Sequence, residues 1–78
     1  MSKQKIVLKS AEEAKKLVDL ACGSDADVVI YRGKFAVDAK SIVGVLSLDF
    51  SHELDLEYDE SNTALAEFAK SHAATKNV

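Results

Sequence analysis

Apolar residues along this chain change spacing from two to three-and-four and back, and these changes divide it into seven elements. Lys5 to Lys9 alternates, with Ile6 and Leu8 on one side and Val7 on the other, and predicts a first strand. Ala11, Ala14, Leu17, Val18 and Ala21 then recur at three and four, the stripe of an amphipathic helix. Ser10-Ala11-Glu12-Glu13 opens that helix with capping-box spacing, a hydroxyl followed three residues on by a carboxylate. Glu12 and Lys16 stand at i, i+4 on its wet side, and Gly23 ends it in the C′ role.

Asp27 to Tyr31 is Val-rich and β-branched, a second strand. Arg32-Gly33-Lys34 turns the chain, and Phe35, Val37 and Ala39 alternate with Ala36 and Asp38 to complete a hairpin. Ser41 caps a short apolar helix running from Ile42 to about Leu48. Leu54, Leu56 and Tyr58 alternate with Asp55 and Glu57, a half-buried fourth strand. Asp59 to Asn62 is a turn, and Thr63 to about His72 is a last helix with Leu65, Phe68 and Ala69 inward. Ala73 to Val78 is expected to fray. The order is β-α-β-β-α-β-α. A four-stranded antiparallel sheet with the helices on one face buries every apolar stripe, so the expected class is α+β, in a single domain over residues 1–78.

Composition narrows what such a domain does. With 47% hydrophobic and 29% charged residues the chain is ordinary for a folded protein, which excludes a disordered one. At 78 residues its core is small, and per-residue averages give a stability of roughly 4–12 kcal/mol. A net charge of −3 with scattered Lys and Arg argues against nucleic-acid binding. Six acidic residues, Asp49, Glu53, Asp55, Glu57, Asp59 and Glu60, fall within twelve positions that hold no Lys or Arg; they read as a solvated strand face or as a docking surface for a basic partner. Cys22 is alone, so neither a disulfide framework nor a metal-type spacing is available, and a buried or half-buried structural thiol is expected. No apolar run is long enough for a bilayer, and a cytoplasmic location with no membrane insertion fits. Gly-rich phosphate cradles, metal clusters and nucleophile–base pairs are absent from the sequence, so no cofactor and no enzymatic activity are expected.

Asp25-Ala26-Asp27-Val28, Gly33-Lys34 and, above all, Lys40-Ser41-Ile42-Val43-Gly44-Val45-Leu46-Ser47-Leu48 resemble HPr, the histidine-containing phosphocarrier protein of the bacterial sugar phosphotransferase system, in its Gram-positive form. The resemblance implies the open-faced β-sandwich of that family, which has the same element order. It also implies partners from the phosphotransferase and catabolite-control network: HPr kinase, enzyme I or a regulator. In the family a Gly-x-His-Ala-Arg-Pro motif joins the first strand to the first helix; its His carries phosphate and its Arg supports it. Here Leu8-Lys9-Ser10 runs almost directly into the helix. Counting back from Asp25, Ser10 falls at the His and Glu12 at the Arg, and a carboxylate there repels phosphate. Asp49 and Glu53 stand where the family has Gly, and the turn before the last helix is shorter. The expectation is an HPr relative lacking the phosphorylatable histidine loop, working as a regulatory, protein-binding monomer.

Ser41 is the sharpest candidate. It matches the serine that HPr kinase modifies, it caps a helix where a phosphate meets free N–H groups, and Lys40 adjoins it; the plainer reading is an ordinary cap hydroxyl. The resemblance makes Ile42, Val43 and Leu46 partner contacts, with Val43 and Leu46 the outward pair because Ile42 and Val45 share the opposite stripe. Ser10 reads as a cap without chemistry. The only histidines, His52 and His72, read as surface residues. Two alternatives stay open: a phosphocarrier using a displaced histidine, His52 foremost, or a small regulatory domain unrelated to sugar transport, such as a ferredoxin-like module with strand one beside strand three.

Overall fold

Burial alternates strictly from Leu54 to Tyr58: Leu54, Leu56 and Tyr58 are buried, while Asp55 and Glu57 are half-buried. That strand organises the molecule. The computed structural model describes residues 2–50 and 52–74. Its elements are β1 (Ser2–Ile6), α1 (Ala11–Cys22), β2 (Val29–Arg32), β3 (Phe35–Asp38), α2 (Ile42–Ser47), β4 (Leu54–Tyr58) and α3 (Thr63–Ser71). The four strands form one antiparallel sheet in the order β1-β4-β2-β3. Strand one therefore lies at an edge beside strand four and does not pair with strand three, against the ferredoxin-like alternative, and the fold is the HPr-like α+β arrangement.

The register separates the two faces of the sheet. Ile6, Ile30, Leu54, Leu56 and Tyr58 point to one side, where they join Leu17, Val18, Val45, Leu65 and Phe68 of the helices in one core. On the open side Lys3 is opposite Glu57 and Lys5 opposite Asp55, with Val29 and Tyr31 beyond them. Lys5 pairs with Asp55 at 3.4 Å. The Tyr31 hydroxyl donates to Glu57 at 2.6 Å, and Lys3 lies 4.4 Å over the Tyr31 ring. Much of the acidic run is thus answered by partners on neighbouring strands. The β2–β3 hairpin closes at the Arg32–Phe35 pair, and Gly33 takes φ +60°, a conformation that favours glycine.

Several expectations need correction. The first strand covers Ser2–Ile6 rather than Lys5 to Lys9. Ile6 and Leu8 are buried as expected, but the ladder with β4 extends toward the N-terminus, and the Val7 N–H turns instead to the His72 carbonyl at 2.9 Å. The second strand starts later, at Val29. Ala11 is exposed, and the buried stripe of α1 begins at Ala14. Gly23 caps α1 with φ −84°, so the helix ends without a left-handed residue. Cys22 is exposed rather than buried, its thiol 3.6 Å from the Lys40 carbonyl. Ala73 and Ala74 are not frayed: Ala73 bridges to Ile6 and the Ala74 N–H donates to the Lys5 carbonyl at 2.9 Å. The remainder of that tail, 75–78, lies outside the described residues.

Candidate functional site

Two helix starts, those of α1 and α2, carry the sequence candidates, and a shallow groove lined by Leu8, Lys9, Leu46, Leu48, Asp49 and Phe50 runs between the approach to α1 and the far end of α2. At α1, Ser10 has extended backbone (φ −159°, ψ 164°), and its hydroxyl accepts the Glu13 N–H at 3.2 Å. The Glu13 carboxylate accepts the Lys9 N–H at 2.8 Å. The capping-box return therefore goes one residue upstream of the cap. Glu12 and Glu13 together place two carboxylates in the first turn, at the positive end of the helix. The negative charge that this helix end attracts is supplied by the chain itself.

At α2, the Ser41 hydroxyl accepts the Gly44 N–H at 3.1 Å while the residue stays exposed. The turn before it is held by the Asp38 side chain, which accepts the Lys40 N–H at 2.9 Å, and by the Asp38 carbonyl, which accepts the Ser41 N–H at 3.0 Å. The Lys40 ammonium donates to the Ser24 carbonyl at 3.0 Å, so it ties α2 to the α1–β2 connection rather than resting over the serine. A Cβ on Gly44 would come within 3.3 Å of the Ser41 hydroxyl and 3.5 Å of the Val37 Cβ; glycine allows α2 this close to β3. Val45 is fully buried and Ile42 half-buried, whereas Val43 is 76% and Leu46 44% exposed. Lys40, Ser41, Val43 and Leu46 thus belong to one end and one outer side of the fold, with Ile42 turned toward the core.

The histidines separate. His52 is exposed, its Nε2 3.7 Å from the same Asp49 oxygen that pairs with Arg32 at 3.6 Å. His72 is half-buried, and its Nε2 lies 3.8 Å from Glu13 at the start of α1. Sequence reasoning missed this contact because nothing local links residues so far apart. It also missed Phe35, 70% exposed at the outer edge of the sheet. Groups with shifted titration lie away from both helix starts. Tyr31 is raised, first by donating to Glu57; Asp59 is lowered by the Ser61 N–H and hydroxyl; Glu60 is lowered by its own backbone N–H and the Ser2 hydroxyl. Among the described residues no three His, Cys, Asp or Glu are grouped to hold a metal, and no helix is long and apolar enough to cross a membrane.

The family model described as "PTS HPr component phosphorylation site" matches residues 9–72. The chain belongs to the HPr family. Among solved structures, an HPr-C-His from Thermoanaerobacter tengcongensis is similar with a TM-score of 0.74 and 28% identity, over 91% of this chain and 93% of that one. A phosphocarrier protein HPr from Bacillus anthracis str. Ames is similar with a TM-score of 0.67 and 27% identity, over the same shares of each chain. No curated protein matches the sequence. The protein is an HPr-like member of the phosphotransferase system, and proteins of that system are its general kind of partner. The match to a family defined around a phosphorylation site stands beside a chain that has Ser10 and a self-capped helix where the resemblance puts the histidine.

Proposed function

We propose that this HPr-family chain is a regulatory, protein-binding protein of the cytoplasm that carries no phosphate on histidine, is phosphorylated on Ser41, acts as a monomer and is not itself an enzyme. One observation carries the first part of this reading. The Glu13 carboxylate already accepts the Lys9 N–H at the head of α1, with Glu12 beside it. An incoming phosphate meets two negative charges there instead of free donors and an arginine.

The exposed Ser41 supports the second part. Its oxygen already sits at a helix cap, so phosphorylation adds charge at the favourable end of α2 without removing an acceptor. Val43 and Leu46 give a kinase or regulator an apolar contact next to that hydroxyl, and the groove to Leu8 and Phe50 extends it. Incubation with HPr kinase and ATP is expected to add one phosphate to the wild type and none to Ser41→Ala. An unmodified wild type, or a modified Ser41→Ala, contradicts the assignment.

One observation favours a second reading, a displaced phosphocarrier histidine. That histidine is His72 rather than His52, since it reaches the first turn of α1. In this reading a phosphate from enzyme I disappears in His72→Gln and persists in His52→Gln. Glu13 facing the same ring weighs against it.

A further inference from the structure

The end of α3 is fastened to the start of the chain. The Val7 N–H donates to the His72 carbonyl and the Ala74 N–H to the Lys5 carbonyl, both at 2.9 Å, with an antiparallel bridge between Ile6 and Ala73. The His72 ring lies flat on Phe68, centroids 4.0 Å apart and planes 17° from parallel. Its Nδ1 is 3.0 Å from the Phe68 carbonyl oxygen and 3.1 Å from the Ser71 hydroxyl. Its Nε2 is 3.8 Å from Glu13 Oε1.

Nδ1 therefore faces a carbonyl at hydrogen-bond distance and Nε2 a carboxylate at ion-pair distance, and a neutral imidazole has only one N–H. With the proton on Nδ1, the Nε2 lone pair faces the carboxylate. With the proton on Nε2, the Nδ1 lone pair faces the Phe68 carbonyl, and relief must come from the Ser71 hydroxyl, which otherwise donates to that carbonyl at 3.2 Å. The imidazolium has a proton for each nitrogen and places a cation on an aromatic face.

We propose that His72 is a proton-operated clasp: as imidazolium it bridges the Phe68 carbonyl and the Glu13 carboxylate, fastening the end of α3 to the first turn of α1, and as neutral imidazole it loses half of that bridge. The elements around the ring carry Glu12, Glu13, Lys15, Lys16 and Asp19 on α1, Lys3 and Lys5 on β1, and Glu67 and Lys70 on α3, with Lys9 just before α1. Lys5 is paired with Asp55, and Lys9 meets Glu13 through its backbone N–H. Glu13 is the carboxylate at ion-pair distance from the ring. The clasp tightens as pH falls and loosens as it rises, and it closes over the head of α1, the place where the family's phosphate chemistry is expected.

Hydrogen exchange tests this in the full chain. The protection of the Val7 and Ala74 amides is followed relative to that of Ile30 from about pH 8 to about pH 5.5, where histidine changes charge and glutamate does not. The wild type is expected to gain about two- to fivefold in relative protection on acidification, the size of a partly exposed ion pair. Glu13→Gln keeps an oxygen for the Lys9 N–H but should show no gain, and neither should His72→Gln. A flat wild type, or an equal gain in either variant, overturns the proposal.

Discussion

A single hydroxyl, that of Ser41, is both the cap of α2 and the proposed phosphate acceptor, and the two roles separate experimentally. As a cap it satisfies the Gly44 N–H, and Ser41→Ala should lower unfolding free energy by about 1 kcal/mol in a denaturant titration. A loss well below that would mean the cap bond is not made in solution. Tyr31 offers a second check at this scale. Its hydroxyl donates to Glu57, which holds it protonated, so its pKa lies above 10.0. A raised folded pKa stabilises the fold below the unfolded value, and that contribution is lost as pH rises through the folded one. Ring-carbon NMR of Tyr31 should show the elevated titration, and Glu57→Ala should bring it back toward the ordinary tyrosine value.

Among the elements, α2 was the most legible in sequence. Ser41, the Ile42/Val45 stripe and the outward Val43 and Leu46 could be placed from spacing alone, since a two-turn helix on a sheet has one buried side. Val45→Ala should cost about 2 kcal/mol, and Val43→Gln should leave stability within about 0.5 kcal/mol. If Val43 is a docking contact, Val43→Gln should nevertheless lower kcat/KM for phosphorylation by HPr kinase by about tenfold; unchanged kinetics would remove it from the contact surface. β1 was the least legible. Ser2-Lys3-Gln4-Lys5 shows no apolar alternation, and what makes it a strand is its pairing with distant β4, where Lys3 and Lys5 meet Glu57 and Asp55. Glu13 was legible as a capping residue, but its contact with His72 was not, because the fold alone brings the two together.

For the whole molecule, β4 and β2 are the two inner strands, and β4 sends Leu54, Leu56 and Tyr58 into the core. Leu56→Ala, at its centre, should cost about 3 kcal/mol, a large part of a total of roughly 4–12 kcal/mol, in one cooperative transition. Two separate transitions would contradict a single core. The same fold that leaves Val43 and Leu46 of α2 outward sets Glu13 and His72 at the head of α1, and the proposed function rests on this contrast. The most direct test is the intact mass of the chain, held at neutral pH, after incubation with enzyme I and phosphoenolpyruvate. The account predicts an unchanged mass under conditions that fully phosphorylate an HPr bearing the family's histidine motif. One added phosphate on this chain would contradict it.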